Sequence, residues 1–432
     1  MDMFERHKND SMYTNYLENS KDKILNGSSK FINEIGKIHL PISGNIGIDL
    51  HDFLHESIHF MLSESPLFRQ IRDLMLTLDF ISSFTQDLNF LPYSAKQNQI
   101  EFAMDLLSGN KSFNCKRYKE LCLVYFTCGR LYRRSKLLLQ NSVICNEGAA
   151  TYCALHIQEY SKNSILEFLF KTFIPKRNVN ELYNAQKKII EKISNLPNDN
   201  LYATGYRYAE QIANHYGIES VIMIAMLANY VPFYNFDLLH DEEVFEERLK
   251  YLYNADERLK YFFAFNSNKQ KMILGYIEEQ KKMKTVFEML DKQKRPERKL
   301  DFLDIDMYYK YYLVLHKRII DTISYIVDED MENEIVNFVR NRVFPSVTSI
   351  DTYYFGLCKP QKQLELLKNN EDYIKFAENA INSIVNFNTK SQKYITQITE
   401  RDVKIMIDRT SVYETYYLVM QKLEDIGYIK EE

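Results

Sequence analysis

Tryptophan is absent from this 432-residue chain, and glycine (12) and proline (9) are scarce for its length. With so few breakers and many Leu, Ile, Lys, Glu and Asn, the composition predicts a mainly α-helical chain. No glycine-rich phosphate loop and no repeat of fixed period occurs. The formal net charge is only -4, so no charge asymmetry advertises nucleic acid or a membrane surface. The longest apolar run, residues 221–228, is too short to span a bilayer, and residues 1–6 lack the apolar core of a signal peptide. None of the six cysteines forms a Cys-x-x-Cys pair, and Cys122 and Cys128, on an apolar segment, read as small buried apolar residues. These absences together predict a cytoplasmic protein with reduced thiols.

What is present has a clear order. Residues 37–42 are the best strand candidate, giving a small β element near 37–48 that is closed by Ser43, Gly44 and Asn45. A helix follows, with Asp49 as its expected N-cap and Pro66 ending it or opening the next. Apolar residues at a helical period then continue to about residue 140, and another helix with an Ala- and Cys-rich face covers 141–160. Further helices are expected over 181–194, 202–216 and 218–229. The composition shifts after Pro232, so the chain divides into a core at 1–235 and an α-helical C-terminal domain at 236–432. Within that second part, residues 292–299 read as a solvated charged turn, and the tyrosines of 308–312 as a packed helix.

The chemistry concentrates in His55-Glu56-Ser57-Ile58-His59. Residues four apart share a helix face, so His55 and His59 can bind one metal ion, with Glu56 near enough to take a proton from water. His51 continues the series, but two helical turns rise about 12 Å, so it cannot share that ion. His51 is therefore placed around the site or in a substrate cleft. A zinc centre needs a third protein ligand, and Asn146-Glu147-Gly148-Ala149-Ala150-Thr151-Tyr152 offers a carboxylate in an otherwise small, apolar stretch.

A His-Glu-x-x-His helix followed by a separate Asn-Glu-Gly-x-Ala-x-Tyr helix resembles the gluzincin metallopeptidases, in particular their aminopeptidase N and thermolysin-like branches. The resemblance covers roughly residues 38–217. It implies one zinc ion held by His55, His59 and Glu147, with Glu56 as general base. It also implies an oxyanion donor from the next helix, where Tyr208, Tyr206 and His215 are the candidates. Asn146 and Thr151 would stand beside the ligands or in the cleft, and Gly148, Ala149 and Ala150 would let the two ligand helices approach closely. The strand at 38–42 would be an edge along which an extended substrate pairs.

Three departures qualify the likeness. The gap between His59 and Glu147 requires a long helical insertion at about 66–140. No Gly-x-Met-x-Asn strand precedes the motif, and Thr151 stands where thermolysin-like enzymes have Asp. Without the amine-binding strand, cleavage inside a protein or peptide is favoured over removal of N-terminal residues. An aminopeptidase, another zinc hydrolase, or a non-catalytic helical interaction protein with a structural or absent metal site are the alternatives. The C-terminal domain would wall the cleft or receive a regulatory protein partner.

Overall fold

The computed structural model describes residues 30–64, 137–229, 360–387 and 393–403, apart from 34, 138 and 198, with a few positions elsewhere that include 254–256. Nearly all of the expected insertion at 66–140, Pro66, and the segments 292–299 and 308–312 lie outside the described residues.

Among the described residues the fold is mainly helical with one small antiparallel sheet. Strands β1 (Lys30–Ile32) and β2 (Lys37–Pro41) form a hairpin, and β3 (Tyr394–Thr396) pairs with the other side of β2. The metal-motif helix α1 is Ile46–Leu62, and the Glu147 helix α2 is Val143–Leu155. Then come α3 (Ile165–Phe173), α4 (Val179–Ser194), α5 (Leu201–Tyr216) and α6 (Glu219–Ala228). Two helices from far along the chain, α7 (Pro360–Asn369) and α8 (Glu371–Val385), complete the described set. Among the described residues, no helix is long and apolar enough to cross a membrane.

The expected strand is present, but its place differs from expectation. β2 is the central strand, paired on both sides, so it cannot accept an extended substrate by main-chain pairing. The edges are β1 and β3. Ile38 spends its backbone groups on the β3 side: its N–H donates to Gln397 Oε1 at 2.9 Å and its carbonyl accepts from the Gln397 N–H at 3.0 Å. In an antiparallel pair the bonding alternates, so Phe31, opposite Ile38, turns its own backbone groups outward from β2.

The start of α1 also differs from the expected Asp49 cap. Asn45 is the N-cap, its side chain accepting from the Ile48 N–H at 3.2 Å. Asp49 sits in the first turn, and its carboxylate accepts from the Ser43 N–H and hydroxyl and from the Gly44 N–H at 3.0, 2.6 and 3.0 Å. Gly44 is left-handed (φ 86°), a conformation glycine adopts without a Cβ penalty. Cap and buried carboxylate together lock the strand-to-helix turn that sets the register of His55 and His59.

Once formed, α1 is enclosed on nearly every side. Phe60 stacks on Tyr373 of α8 with ring centroids 4.7 Å apart and meets Phe31 edge-on at 6.1 Å. Phe53 meets Phe173 of α3 edge-on at 5.9 Å. Gly47 touches α4 so closely that a Cβ there would lie 2.2 Å from the Glu181 carbonyl oxygen. Residues beyond 235 thus supply both the third strand and part of the packing behind the motif helix.

Candidate metal centre

From Gly47 to Leu62, only Ile48, Asp52 and His55 of α1 escape burial. Steps of four and three residues put them on one helix face, so the helix has a single open stripe. His59 continues that stripe one turn on and is almost covered, at 9% exposure. At its His55–His59 end the stripe meets Glu147 of α2.

The three donor groups converge. His55 Nε2 lies 3.5 Å from Glu147 Oε2, His59 Nε2 lies 3.3 Å from Glu147 Oε1, and the two Nε2 atoms are 3.1 Å apart. The two nitrogen–carboxylate distances exceed the usual range for N–H···O hydrogen bonds. They fit a different purpose. A tetrahedral zinc ion with ligands at about 2.0–2.1 Å has neighbouring ligand atoms about 3.3 Å apart, and all three spacings bracket that value. Two imidazoles and one carboxylate are also a donor set typical of zinc with an open fourth position. The residues therefore fit the ion that the sequence pattern implies. Among the described residues, this is the one group of three or more such side chains arranged to hold a metal ion.

Electrostatics agree with the geometry. Burial pushes the Glu147 carboxyl pKa up, but the His55 and His59 rings against it outweigh burial and hold it well below the carboxylate range. Glu56 is displaced the other way, to about 7. Its burial is the main cause, with the negative charges of Glu147 and Asp52 adding to it, while His55 and a hydrogen bond from the Phe31 N–H oppose the rise. That bond uses the outward-turned backbone of edge strand β1, so the sheet helps hold the Glu56 carboxylate where it is. His51 is buried with its ring centroid 6.2 Å from that of His55. Burial first, and then His55, lower its pKa to about 3, so it stays neutral.

A glycine contact brings in the third wall. A Cβ on Gly148 would lie 2.4 Å from the carbonyl of Gly205 on α5, and one on Gly205 would lie 2.4 Å from the Ile144 carbonyl oxygen. Gly148 thus serves the approach of α5 to α2, rather than the expected approach of α2 to α1. Tyr202 is three residues before Gly205, on the same side of α5. The negative charge of Glu147, then burial, then Glu56 raise the Tyr202 phenol pKa, so its hydroxyl lies within electrostatic reach of both carboxylates. Tyr202 is also 49% exposed, which leaves it accessible to a substrate.

The donors expected from the sequence are placed otherwise. The Tyr206 hydroxyl hydrogen-bonds His156 Nε2 at 2.9 Å, at the opposite end of α2 from Glu147. Tyr208 is half-buried against the main core, and His215 is exposed, with Nδ1 2.8 Å from the Gln211 carbonyl of its own helix. Asn146 is buried and accepts a 2.6 Å hydrogen bond from Asn229; Thr151 is buried one turn beyond Glu147. Sequence reasoning passed over Tyr202 in favour of its neighbours. The available signal was Gly205, which marks the face of α5 that meets α2.

No family model, no curated protein and no solved structure matches this chain.

Proposed function

We propose that this protein is a zinc-dependent peptidase that cleaves peptide bonds within a protein or peptide. The observation that carries the reading is the convergence of His55, His59 and Glu147 at tetrahedral spacing, with Glu56 beside them. The open stripe through Ile48, Asp52 and His55 supports an extended substrate running along α1.

When bound, zinc supplies a Lewis acid for the scissile carbonyl and lowers the pKa of water towards neutrality. The work of the chain itself is proton transfer and charge stabilisation. Glu56, buried beside His55 and Glu147, takes a proton from the attacking water as the oxygen–carbon bond forms. It returns that proton to the amine nitrogen as the carbon–nitrogen bond breaks. Its hydrogen bond from Phe31 fixes the carboxylate orientation meanwhile. Tyr202 donates its hydroxyl proton as a hydrogen bond to the carbonyl oxygen while that oxygen gains charge. A phenol is protonated near neutral pH and so is able to donate.

The experiment pairs metal analysis with a Glu56→Gln variant on an N-blocked peptide library. The expected outcome is one zinc per chain in both proteins, cleavage of blocked peptides by the wild type, and a loss of about 10²–10⁴-fold in the variant. Zinc retained with no cleavage by either protein makes the centre structural. Cleavage of peptides with free N-termini alone makes the protein an aminopeptidase.

A further inference from the structure

The Glu147 helix has no cap of its own. Ser142, at its N-cap position, makes no side-chain bond to the first turn, and that turn contains no acidic residue. The Ser142 hydroxyl instead donates backward to the Leu139 carbonyl at 2.7 Å. A helix N-terminus left this way has amide N–H groups that need acceptors, and α2 is largely buried from Cys145 onward, so water is a poor substitute there.

The acceptors come from more than a hundred residues away. The Asp256 carboxylate accepts from the Cys145 N–H at 2.8 Å and from the Ile144 N–H at 3.2 Å. The Asp256 N–H donates to the Asn141 carbonyl at 3.0 Å, and the Asn254 side-chain amide donates to the Asn141 side chain at 3.0 Å. Asp256 is buried, and its neighbours Ala255 and Leu259 belong to the main core. A buried carboxylate is costly unless it is well paired, and here the amides and the positive end of the helix satisfy it. A local cap would travel with α2. One supplied from elsewhere ties the position and rotation of α2 to another part of the fold.

Glu147 lies two residues after Cys145, directly after the clamped first turn. We propose that Asp256 is a positioning residue for the third metal ligand, holding α2 where the Glu147 carboxylate meets His55 and His59. This rests on the metal reading above. Metal centres respond to displacements of a few tenths of an ångström, so supporting residues of this kind change metal affinity.

The test is a zinc titration of four metal-free proteins: wild type, Asp256→Ala, Glu147→Ala and the double variant, each with its thermal midpoint measured. Asp256→Ala is expected to weaken zinc binding about ten-fold in the wild-type background. It should add nothing once Glu147 is gone, because the coupling runs through that carboxylate. Equal weakening in both backgrounds, or a lowered thermal midpoint with unchanged zinc affinity, overturns the proposal and leaves Asp256 a stabilising cap only. Should Asp256→Ala fail to fold, Asp256→Asn keeps one acceptor oxygen and serves the same comparison with a smaller factor. A wild type that takes up no zinc overturns the metal reading as well, which is a different result from zinc bound indifferently to Asp256.

Discussion

The two ends of α2 carry clusters of the same chemical kind arranged to opposite effect. At the start, Glu147 meets His55 and His59, and three donor atoms crowd around one point at 3.1–3.5 Å. At the far end, Glu159, His156 and Tyr206 form a line. His156 Nδ1 is 3.0 Å from Glu159 and its Nε2 is 2.9 Å from the Tyr206 hydroxyl, while Tyr152 stacks on the ring at 4.4 Å. One tautomer of His156 satisfies both of its contacts, donating to the carboxylate and accepting from the phenol. The line is complete in itself, and the convergent set gains most from a cation at its centre. Histidine and carboxylate together are thus no signature of a metal; convergence of their donor atoms is what a metal would require.

The contrast is broken most severely by exchanging the roles of the two tyrosines. Tyr202→Phe should cut the rate of peptide cleavage about 10²–10³-fold with zinc content unchanged, as removal of a transition-state donor does. Tyr206→Phe, which opens the self-satisfied line, should cost about 1 kcal/mol of stability and leave the rate within a few-fold. Steady-state kinetics beside thermal melts separates them, and a large rate loss in Tyr206→Phe would return the donor role to that residue.

A smaller effect follows from Glu56. Its folded pKa, about 7, lies above the ordinary value of 4.5, so the folded metal-free protein holds this proton more tightly than the unfolded chain does. The protonated form's advantage is complete below about pH 4.5 and disappears as pH rises through 7. Glu56→Gln should therefore stabilise the metal-free protein above pH 7, by on the order of 3 kcal/mol at most, with no gain below pH 4.5. Chemical denaturation at pH 4 and pH 8 measures this, and equal gains at both would show that the carboxylate is not buried as described.

The unequal legibility of the two ligand helices has a physical origin. On α1 the information is local: four-residue spacing puts His55 and His59 together, and Asn45, Ser43 and Asp49 close the turn within a few residues. Sequence assigns the cap to Asp49 rather than Asn45 because both residue types suit an N-cap. On α2 the residue Glu147 stood out as a carboxylate among small neighbours, but its support is remote. Gly148 meets Gly205, and the first-turn amides meet Asp256, and no local pattern announces either contact. Strand β3 was equally hidden, since three residues near the end of the chain earn their strand conformation only by pairing with β2. Spacing points to Tyr208 and Tyr206 and not to Tyr202 for a similar reason: which tyrosine of α5 lies toward Glu147 depends on the remote packing of α5 on α2.

The most direct test of the account is a zinc titration of the metal-free protein with carboxylates removed one at a time. The expected result is one ion per chain, weakened at least about 100-fold by Glu147→Ala and unchanged by Glu159→Ala. No zinc uptake by the wild type, or equal loss in both variants, would contradict it.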